Sequence, residues 1–520
     1  MSGLLSKRAW LGGFAMVAAF GFAACSDDDG SGDTPAGGSA AGGTAGSSQG
    51  GDGGNPAASG SASGGKAGNA AAGKGGDMAT AGTSTGGTSM GGQDMGLAGE
   101  GGVGLGGAAG GGNEVDEVRA MFAGMSPLPA VPADPTNAFA DSDAAATLGQ
   151  KFFFDEKFSG AMTADSDLGN TGDVQKVSCK SCHSGAALDD ERSSPDNISK
   201  GTGLHTRNAP SLINSSFYVW TNWGGRFAAQ WELPLAVVES PVIMNGNRLA
   251  LAHRIFDAYK TEYEAVFGAL TPEIGTDAVR FPPAGKPKPA PTAAVPNPPD
   301  GPWEGMAAAD RTIINRVLVN YSKALAAYTR KLVSRKAPFD KWMGGDDSAF
   351  DASQLNGAKL FVAKGCGNCH SGPHFSDESF HDLGVPQTGP GVLASDDGRA
   401  KDLPGLLNSG MNINSVFSDK TDTNKLADLS LPPPDSMKGQ FRTPSLRGVA
   451  LSAPYMHSGQ FASLSAVIDF YAVGGTLDTG AGQLVPFAIT PQEKADLIAF
   501  LGALTGESVP AALLEDTAAN

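Results

Sequence analysis

The chain has 520 residues and a formal net charge of −17, which leaves room for two or three domains but offers no basic field to grip a phosphate backbone, so nucleic-acid binding is excluded. Its 74 glycines are unevenly placed, for residues 26–113 hold 33 of them and no aromatic side chain. No apolar run after residue 25 approaches the roughly 20 residues that cross a bilayer as a helix.

Lys7 and Arg8 precede an apolar run from Ala9 to Ala24 that ends in Phe22-Ala23-Ala24-Cys25. A positive start, a short apolar stretch and small residues before a cut are the pattern of a secretory signal. The last four residues resemble a bacterial lipoprotein box, so 1–25 are expected to form a lipoprotein-type signal peptide with Cys25 as the lipid-bearing residue. An ordinary cut near Ala24 that leaves Cys25 unmodified is the alternative. Ser26 is not a retention-type Asp, so the expected location is the periplasm or cell surface, as an outer-membrane lipoprotein that meets the membrane only through its anchor. Residues 26–113 lack the apolar side chains that could offset the entropy of ordering, and are expected to be a disordered Gly/Ala/Ser-rich tether.

Residues 114–135 form a proline-containing lead-in. Ser142 is placed to cap a helix that carries Ala144, Leu148, Phe152 and Phe153 on its inner side and breaks near Gly160. The proline-rich stretch 281–302 is expected to be an extended or disordered insertion. After it, Ile313, Ile314, Val317, Leu318, Tyr321, Leu325 and Tyr328 recur at helical spacing and predict a long helix with one buried face. A further helix is expected from about Asp351 to Ala363. Thr490-Pro491-Gln492-Glu493 joins a capping box to a first-turn proline, and Leu497, Ile498, Phe500, Leu501 and Leu504 give the helix that follows an apolar face.

Apart from Cys25, the cysteines form two copies of one motif, Cys179-Lys180-Ser181-Cys182-His183 and Cys366-Gly367-Asn368-Cys369-His370, 187 residues apart. Cys-x-x-Cys-His is the attachment signature of c-type haem. Positions i and i+3 share a face of a helical turn, so two thiols reach the two vinyl groups of one porphyrin, and the next residue offers imidazole to the iron. A four-cysteine zinc site and two disulfides of a secreted domain compete. Zinc would not need His after both pairs, and disulfides would not need the x-x spacing, which favours two covalent haem c groups. Strand signals are short and few. The expected fold class is therefore mainly α, with two tandem cytochrome-c-like haem domains over 114–340 and 341–510 and irregular loops.

Around these motifs the chain resembles the bacterial dihaem cytochrome c peroxidase family, including its MauG-like branch of protein-oxidising enzymes. The likeness runs from about Leu148 to Leu504 through Leu148-Gly149-Gln150-Lys151-Phe152-Phe153-Phe154-Asp155, Arg207-Asn208-Ala209-Pro210-Ser211-Leu212, Trp223-Gly224-Gly225-Arg226, Phe441-Arg442-Thr443-Pro444-Ser445-Leu446-Arg447 and Ala453-Pro454-Tyr455-Met456-His457-Ser458-Gly459, together with the two motifs. The resemblance implies that haem one reacts with hydrogen peroxide, that haem two receives or relays electrons, and that a calcium ion lies between them. It makes His183 and His370 the proximal iron ligands and Trp223 the aromatic relay between haems. Asn208, Ser452 and Pro454 match the calcium oxygens, hard donors of the kind calcium prefers; Ser452 stands where the family more often has Thr. Tyr471 lies seven positions after Leu464, where simple peroxidases place an axial Met and the MauG-type enzymes an axial Tyr. A phenolate there would stabilise ferric iron. Met456 is its rival as sixth ligand.

Two positions depart from the family. Peroxide cleavage needs a group that moves a proton between the two oxygens, and the family supplies Gln and Glu downstream of the Trp-Gly-Gly-Arg block, where this chain has Leu233 and Ile243. Glu239 and His205 are the replacement candidates, with Glu232 close in sequence; His253, His374 and His381 have no better claim, although His374 is close enough to the second motif to touch its haem edge. Three functions follow as expectations: a peroxidase drawing electrons from a donor protein such as a small cytochrome or cupredoxin, a MauG-like oxidase of a protein or organic substrate, and a non-catalytic dihaem electron-transfer protein.

Overall fold

The computed structural model describes residues 114–193, 198–389, 391–475 and 483–519. The expected signal peptide with Cys25 and the expected tether lie outside the described residues. The described residues are mainly α-helical, and among them strand is confined to one antiparallel pair, β1 (Phe380–His381) with β2 (Phe441–Arg442). The helices are α1 (Glu114–Ala120), α2 (Asp143–Phe154), α3 (Glu232–Glu239), α4 (Arg248–Ala258), α5 (Lys260–Phe267), α6 (Ala308–Thr329), α7 (Pro338–Met343), α8 (Ala352–Ala363), α9 (Arg399–Leu407), α10 (Thr423–Ala427), α11 (Leu464–Ala472) and α12 (Pro491–Gly502).

Local chemistry explains where they begin and end. The Ser142 hydroxyl accepts from the Ala145 amide and caps α2, while Asp351 with Gln354 and Thr490 with Glu493 form reciprocal capping boxes on α8 and α12. α2 stops at Phe154, before Gly160, because Asp155 turns extended and its carboxylate accepts from the Lys157 amide to start a 3-10 turn. The stretch 281–302 has no helix or strand. It is nevertheless tied down, with Phe281 buried at one end and Lys286 Nζ donating to the carbonyls of Glu239 at 2.8 Å and Gly246 at 3.1 Å.

Two helix crossings organise the interior, and each has a glycine at the contact. A Cβ at Gly149 would lie 2.0 Å from the Ala324 carbonyl oxygen, so α2 meets α6 backbone to backbone; a Cβ at Gly357 would lie 2.0 Å from that of Asp496, so α8 meets α12 in the same way. Around the first crossing Phe152, Phe153, Phe158, Tyr259, Leu318 and Tyr321 form one apolar core. Around the second, Phe339, Trp342, Phe361, Phe375, Leu497 and Phe500 form another.

The cores do not divide cleanly at residue 340. Val118, Phe122 and Met125 of the lead-in pack into the second core, and Val509 near the other end packs into the first. α6 also differs from its expected single buried face. It is buried almost all round, because Val319 and Ala326 on its far side join a third cluster with Trp231, Leu403 and Phe417.

Gly357→Ala should destabilise the protein by about 1–3 kcal/mol or more, since the new methyl overpacks a backbone contact. Gly502→Ala, where nothing lies within 4 Å, should not; denaturant midpoints of the two variants make the comparison.

Candidate functional site

Each Cys-x-x-Cys-His motif winds into one 3-10 turn, Cys179–Ser181 and Cys366–Asn368. The His183 amide donates to the Cys179 carbonyl and the His370 amide to that of Cys366, both at 3.0 Å. The chain then turns through Gly185 and Gly372 at φ +66° and +67° and arrives at Leu188 and Phe375 at φ +51° and +53°. Left-handed backbone at a non-glycine residue costs on the order of 1–3 kcal/mol, and here it recurs at the same step. The reason lies in the carbonyls. Leu188 O faces His183 Nδ1 and Phe375 O faces His370 Nδ1, each at 3.0 Å. An imidazole that donates from Nδ1 keeps its lone pair on Nε2, the form that ligates metal. Desolvation holds both rings below the ordinary histidine range and so neutral.

A second repeated element clamps these carbonyls. Ser211 of the Pro-Ser-Leu run 210–212 donates to the Ala187 carbonyl, and Ser445 of the run 444–446 donates to that of His374. Both acceptors directly precede the left-handed residue. The order of parts is the same twice: a helix with its crossing glycine, the cysteine turn, the left-handed carbonyl, the serine clamp and a closing helix.

A cavity of about 860 Å³ opens beside the second motif, lined by Cys366, Cys369 and His370, by apolar groups such as Leu464, Ile468 and Leu501, and by Tyr471 of α11. Met456 and Trp223 share its wall. Cofactor pockets span roughly 300–1,000 Å³, and the donors present match a porphyrin: a thiol pair, an imidazole, a phenol, and Arg442, whose buried Nε has no acceptor among the described residues and suits a carboxylate. Cys366, Cys369, His370 and Tyr471 would hold such a group. Apolar surroundings push the Tyr471 phenol well above its ordinary value and Cys366 up to about 11, so both are un-ionised in the bare site.

At the first motif burial pushes Cys179 and Cys182 up to about 12. Cys179 abuts the first core, which Ile243 also packs against. The Lys200 carbonyl lies 3.5 Å from Cys182 Sγ, and the adjoining loop pairs with the segment of Ile243 through Thr202 N–H to Ile243 O at 2.9 Å. His205 ends this loop with Nδ1 2.7 Å from the Arg207 carbonyl, and desolvation holds its ring neutral.

Glu239, a replacement candidate, is committed to an ion pair. Arg248 holds both of its oxygens, at 3.0 and 2.7 Å, and donates its backbone amide as well. Glu232 is also committed, accepting from the amides of Ala228 at 2.9 Å and Ile413 at 2.7 Å, while burial pushes it up to about 7. His253 faces the carbonyls of Phe281 and Pro282. His381 lines the cavity, where it bridges Asp377 and Gln483. His374 is not among the residues that line it and packs on the rings of Phe217 and Tyr218 instead.

Of the three residues matched to calcium, Asn208 and Pro454 are brought together, with Asn208 Nδ2 3.1 Å from the Pro454 carbonyl and Ser452 two residues before it. An ion there would need the amide turned to present Oδ1. Trp223 Nε1–H donates to the Asn208 carbonyl at 2.8 Å and so links this pair to the cavity wall.

Sequence reasoning missed two acidic features that carry no motif. Asp189 is buried, pushed up to about 7 by that burial and by Asp190 and Glu191, and lies within electrostatic reach of Tyr455 beside Pro454. Asp396 and Asp402 hold buried Arg207, with Asp396 bidentate at 2.7 Å and Asp402 at 2.6 Å.

The profile of the family described as Di-haem cytochrome c peroxidase matches residues 143–286. Cytochrome-c peroxidase IdrP1 of Pseudomonas sp. (strain SCT) is 31% identical over 399 residues, covering 73% of this chain and 85% of that protein. Methylamine utilization protein MauG of Methylorubrum extorquens is 38% identical over 192 residues, 36% of this chain and 44% of that protein. Among solved structures, the diheme peroxidase BthA from Burkholderia thailandensis E264 aligns with a TM-score of 0.50 at 20% identity, over 76% of this chain and 98% of that one, a likeness of fold.

Burial alone would raise the Asp396 carboxyl, but Arg207 holds it down at about 2 against an ordinary 3.8. The folded value is the lower, so the pair's stabilisation is complete above the ordinary value and fades as pH falls toward the folded one. Asp396→Asn should remove about 3 kcal/mol near neutral pH and flatten that acid limb, as urea midpoints on either side of the window would record.

Proposed function

Because this chain belongs to the di-haem cytochrome c peroxidase family, we propose that it is an exported dihaem oxidoreductase that reduces hydrogen peroxide with electrons relayed from haem two to haem one. The duplicated histidine–carbonyl unit carries this reading, since one such unit would support a single-haem electron carrier and two support a relay. When bound, the haems supply iron that takes up the oxidising equivalents of peroxide. The chain's own residues do the rest. Cys179 and Cys182, and Cys366 and Cys369, tether the two groups, while the neutral His183 and His370 direct Nε2 toward iron. Trp223 stands on the haem-two wall, joined to Asn208, and forms the aromatic step between the sites; a calcium ion held by Asn208, Ser452 and Pro454 would stiffen that step.

Proton movement at haem one falls to His205. Leu233 and Ile243 cannot titrate, and Glu239 is paired with and held in place by Arg248. A neutral imidazole is a competent base near pH 7, and the loop that carries it reaches from the Cys182 thiol to Ile243. The electrons would come from a small cytochrome or cupredoxin outside the membrane, where Cys25 anchors the chain.

Tyr471 favours a second reading, a MauG-like oxidase that takes electrons from a protein or organic substrate. Its phenol shares the cavity wall with the second motif, and phenolate ligation would lower the potential of haem two relative to Met.

A pyridine haemochrome assay should give two haems per chain; one or none would sink both readings. Tyr471→Phe should change the absorption and EPR spectra of haem two and leave those of haem one intact. His205→Ala should lower kcat/KM for peroxide by about 10²–10⁴ with haem content unchanged, and an unaltered rate would remove His205 from proton transfer.

A further inference from the structure

Tyr259 of α4 and α5's junction is fully buried, and its hydroxyl donates to Asp155 Oδ2 at 2.7 Å while accepting from the Ala519 amide at 2.9 Å. A buried hydroxyl needs some partner, so the bond alone could be structural. Two further observations separate this tyrosine from the rest.

The first is its place. Tyr321 lies within electrostatic reach of both Cys179 and Tyr259, and Phe152 packs between the two tyrosines at ring-centroid distances of 5.1 Å to Tyr321 and 5.2 Å to Tyr259. Phe158 adds a parallel contact, 4.9 Å from Tyr321 and 6.2 Å from Tyr259. Close-packed aromatic rings therefore join the Tyr259 phenol to Tyr321, and Cys179 of the first haem motif packs against the same core.

The second is the acceptor. Of the seven tyrosines, Tyr259 is the one whose hydroxyl donates to a carboxylate among the described residues. Tyr328 donates to the Leu513 carbonyl, Tyr263 accepts from Asn320, Tyr218 accepts from Ser445, and Tyr321 has no partner. A phenol gives up an electron at an accessible potential only if its proton leaves in the same event, and a carbonyl is not a base that can take it. Arg254 holds the carboxylate in place, with Nε 2.9 Å from Asp155 Oδ2.

We propose that Tyr259 is a redox-active tyrosine that stores one oxidising equivalent delivered by hydrogen peroxide at the first haem site, with Asp155 as its proton acceptor. This rests on the peroxide-reducing reading above. In the step, hydrogen peroxide is the two-electron oxidant; with two protons from solvent and two electrons, the second of them from the small donor protein of that reading, it leaves as two waters. One of the two electrons comes from Tyr259, whose phenolic O–H bond breaks as its electron passes through the Phe152–Tyr321 stack to the haem-one site. The proton forms a new O–H bond on Asp155, and a neutral phenoxyl radical remains until a donor re-reduces it and Asp155 returns the proton. Tyr321, with no acceptor, serves as conduit and not as a resting place.

The test is freeze-quench EPR of the dihaem holoprotein after mixing with hydrogen peroxide, with the haem absorption bands followed in parallel. A tyrosyl radical should appear in the wild type, vanish in Tyr259→Phe, and persist in Tyr263→Phe. Placing 3,5-difluorotyrosine at residue 259 should add fluorine hyperfine splitting to the signal, which identifies the radical even if the Phe variant folds poorly. Asp155→Asn should abolish the radical or shorten its lifetime at unchanged haem content. Haem bands that respond to peroxide without a Tyr259-dependent radical would overturn this assignment and leave the peroxidase reading standing. Bands that do not respond would overturn both.

Discussion

The histidine ring that donates from Nδ1 to a backbone carbonyl is the constraint on which the rest of the structure turns. A carbonyl five residues downstream can aim back at the ring only if the chain reverses sharply, and the reversal places Leu188 and Phe375 in left-handed backbone. Such conformations persist only where the surroundings over-determine them. Here the serine clamps fix the preceding carbonyls, and both side chains are sunk in the two apolar cores, where Phe375 contacts Phe339 and Phe361. The cores thus serve the ligand geometry as well as stability, because loosening them would free an imidazole to rotate. The helix crossings at Gly149 and Gly357 belong to the same chain of causes, for only a backbone-to-backbone approach brings the aromatic side chains close enough to surround the turn.

Much of this was legible in the residues. The capping box of α12, the Ser142 cap and the apolar spacing along α6 are local signals, set by groups within one or two turns, and each helix forms where they place it. Cys-x-x-Cys-His was legible because covalent chemistry demands a fixed spacing. Long-range features were not. Nothing in the neighbourhood of Glu239 announces that Arg248 will claim both its oxygens, or that Arg207 will meet Asp396 and Asp402 almost two hundred residues away. Buried ion pairs are decided by packing, and sequence windows do not record packing. The all-round burial of α6 escaped for a related reason, since periodicity registers one apolar face and Val319 with Ala326 is too sparse a second stripe.

The two halves have diverged in the groups that surround the repeated unit. Beside the second motif stand a roomy cavity, a phenol and an unanswered guanidinium nitrogen. Beside the first stand tightly packed tyrosines and a loop held against Ile243. One scaffold therefore offers a ligand-rich face at one site and a protein-shielded face at the other, and a division of labour between two chemically identical cofactors needs that kind of asymmetry.

The exchange of ends between the cores bears on how the molecule comes apart. With Phe122 inserted among the rings of the second core and Val509 in the first, neither half can shed its packing without withdrawing a piece of the other. Such mutual lacing turns two modules into a single cooperative unit, and in the proposed relay it would steady the separation of the two cysteine turns. A relay between two redox centres would tolerate very little slack, and the segments that flank the two cores are placed to take it up.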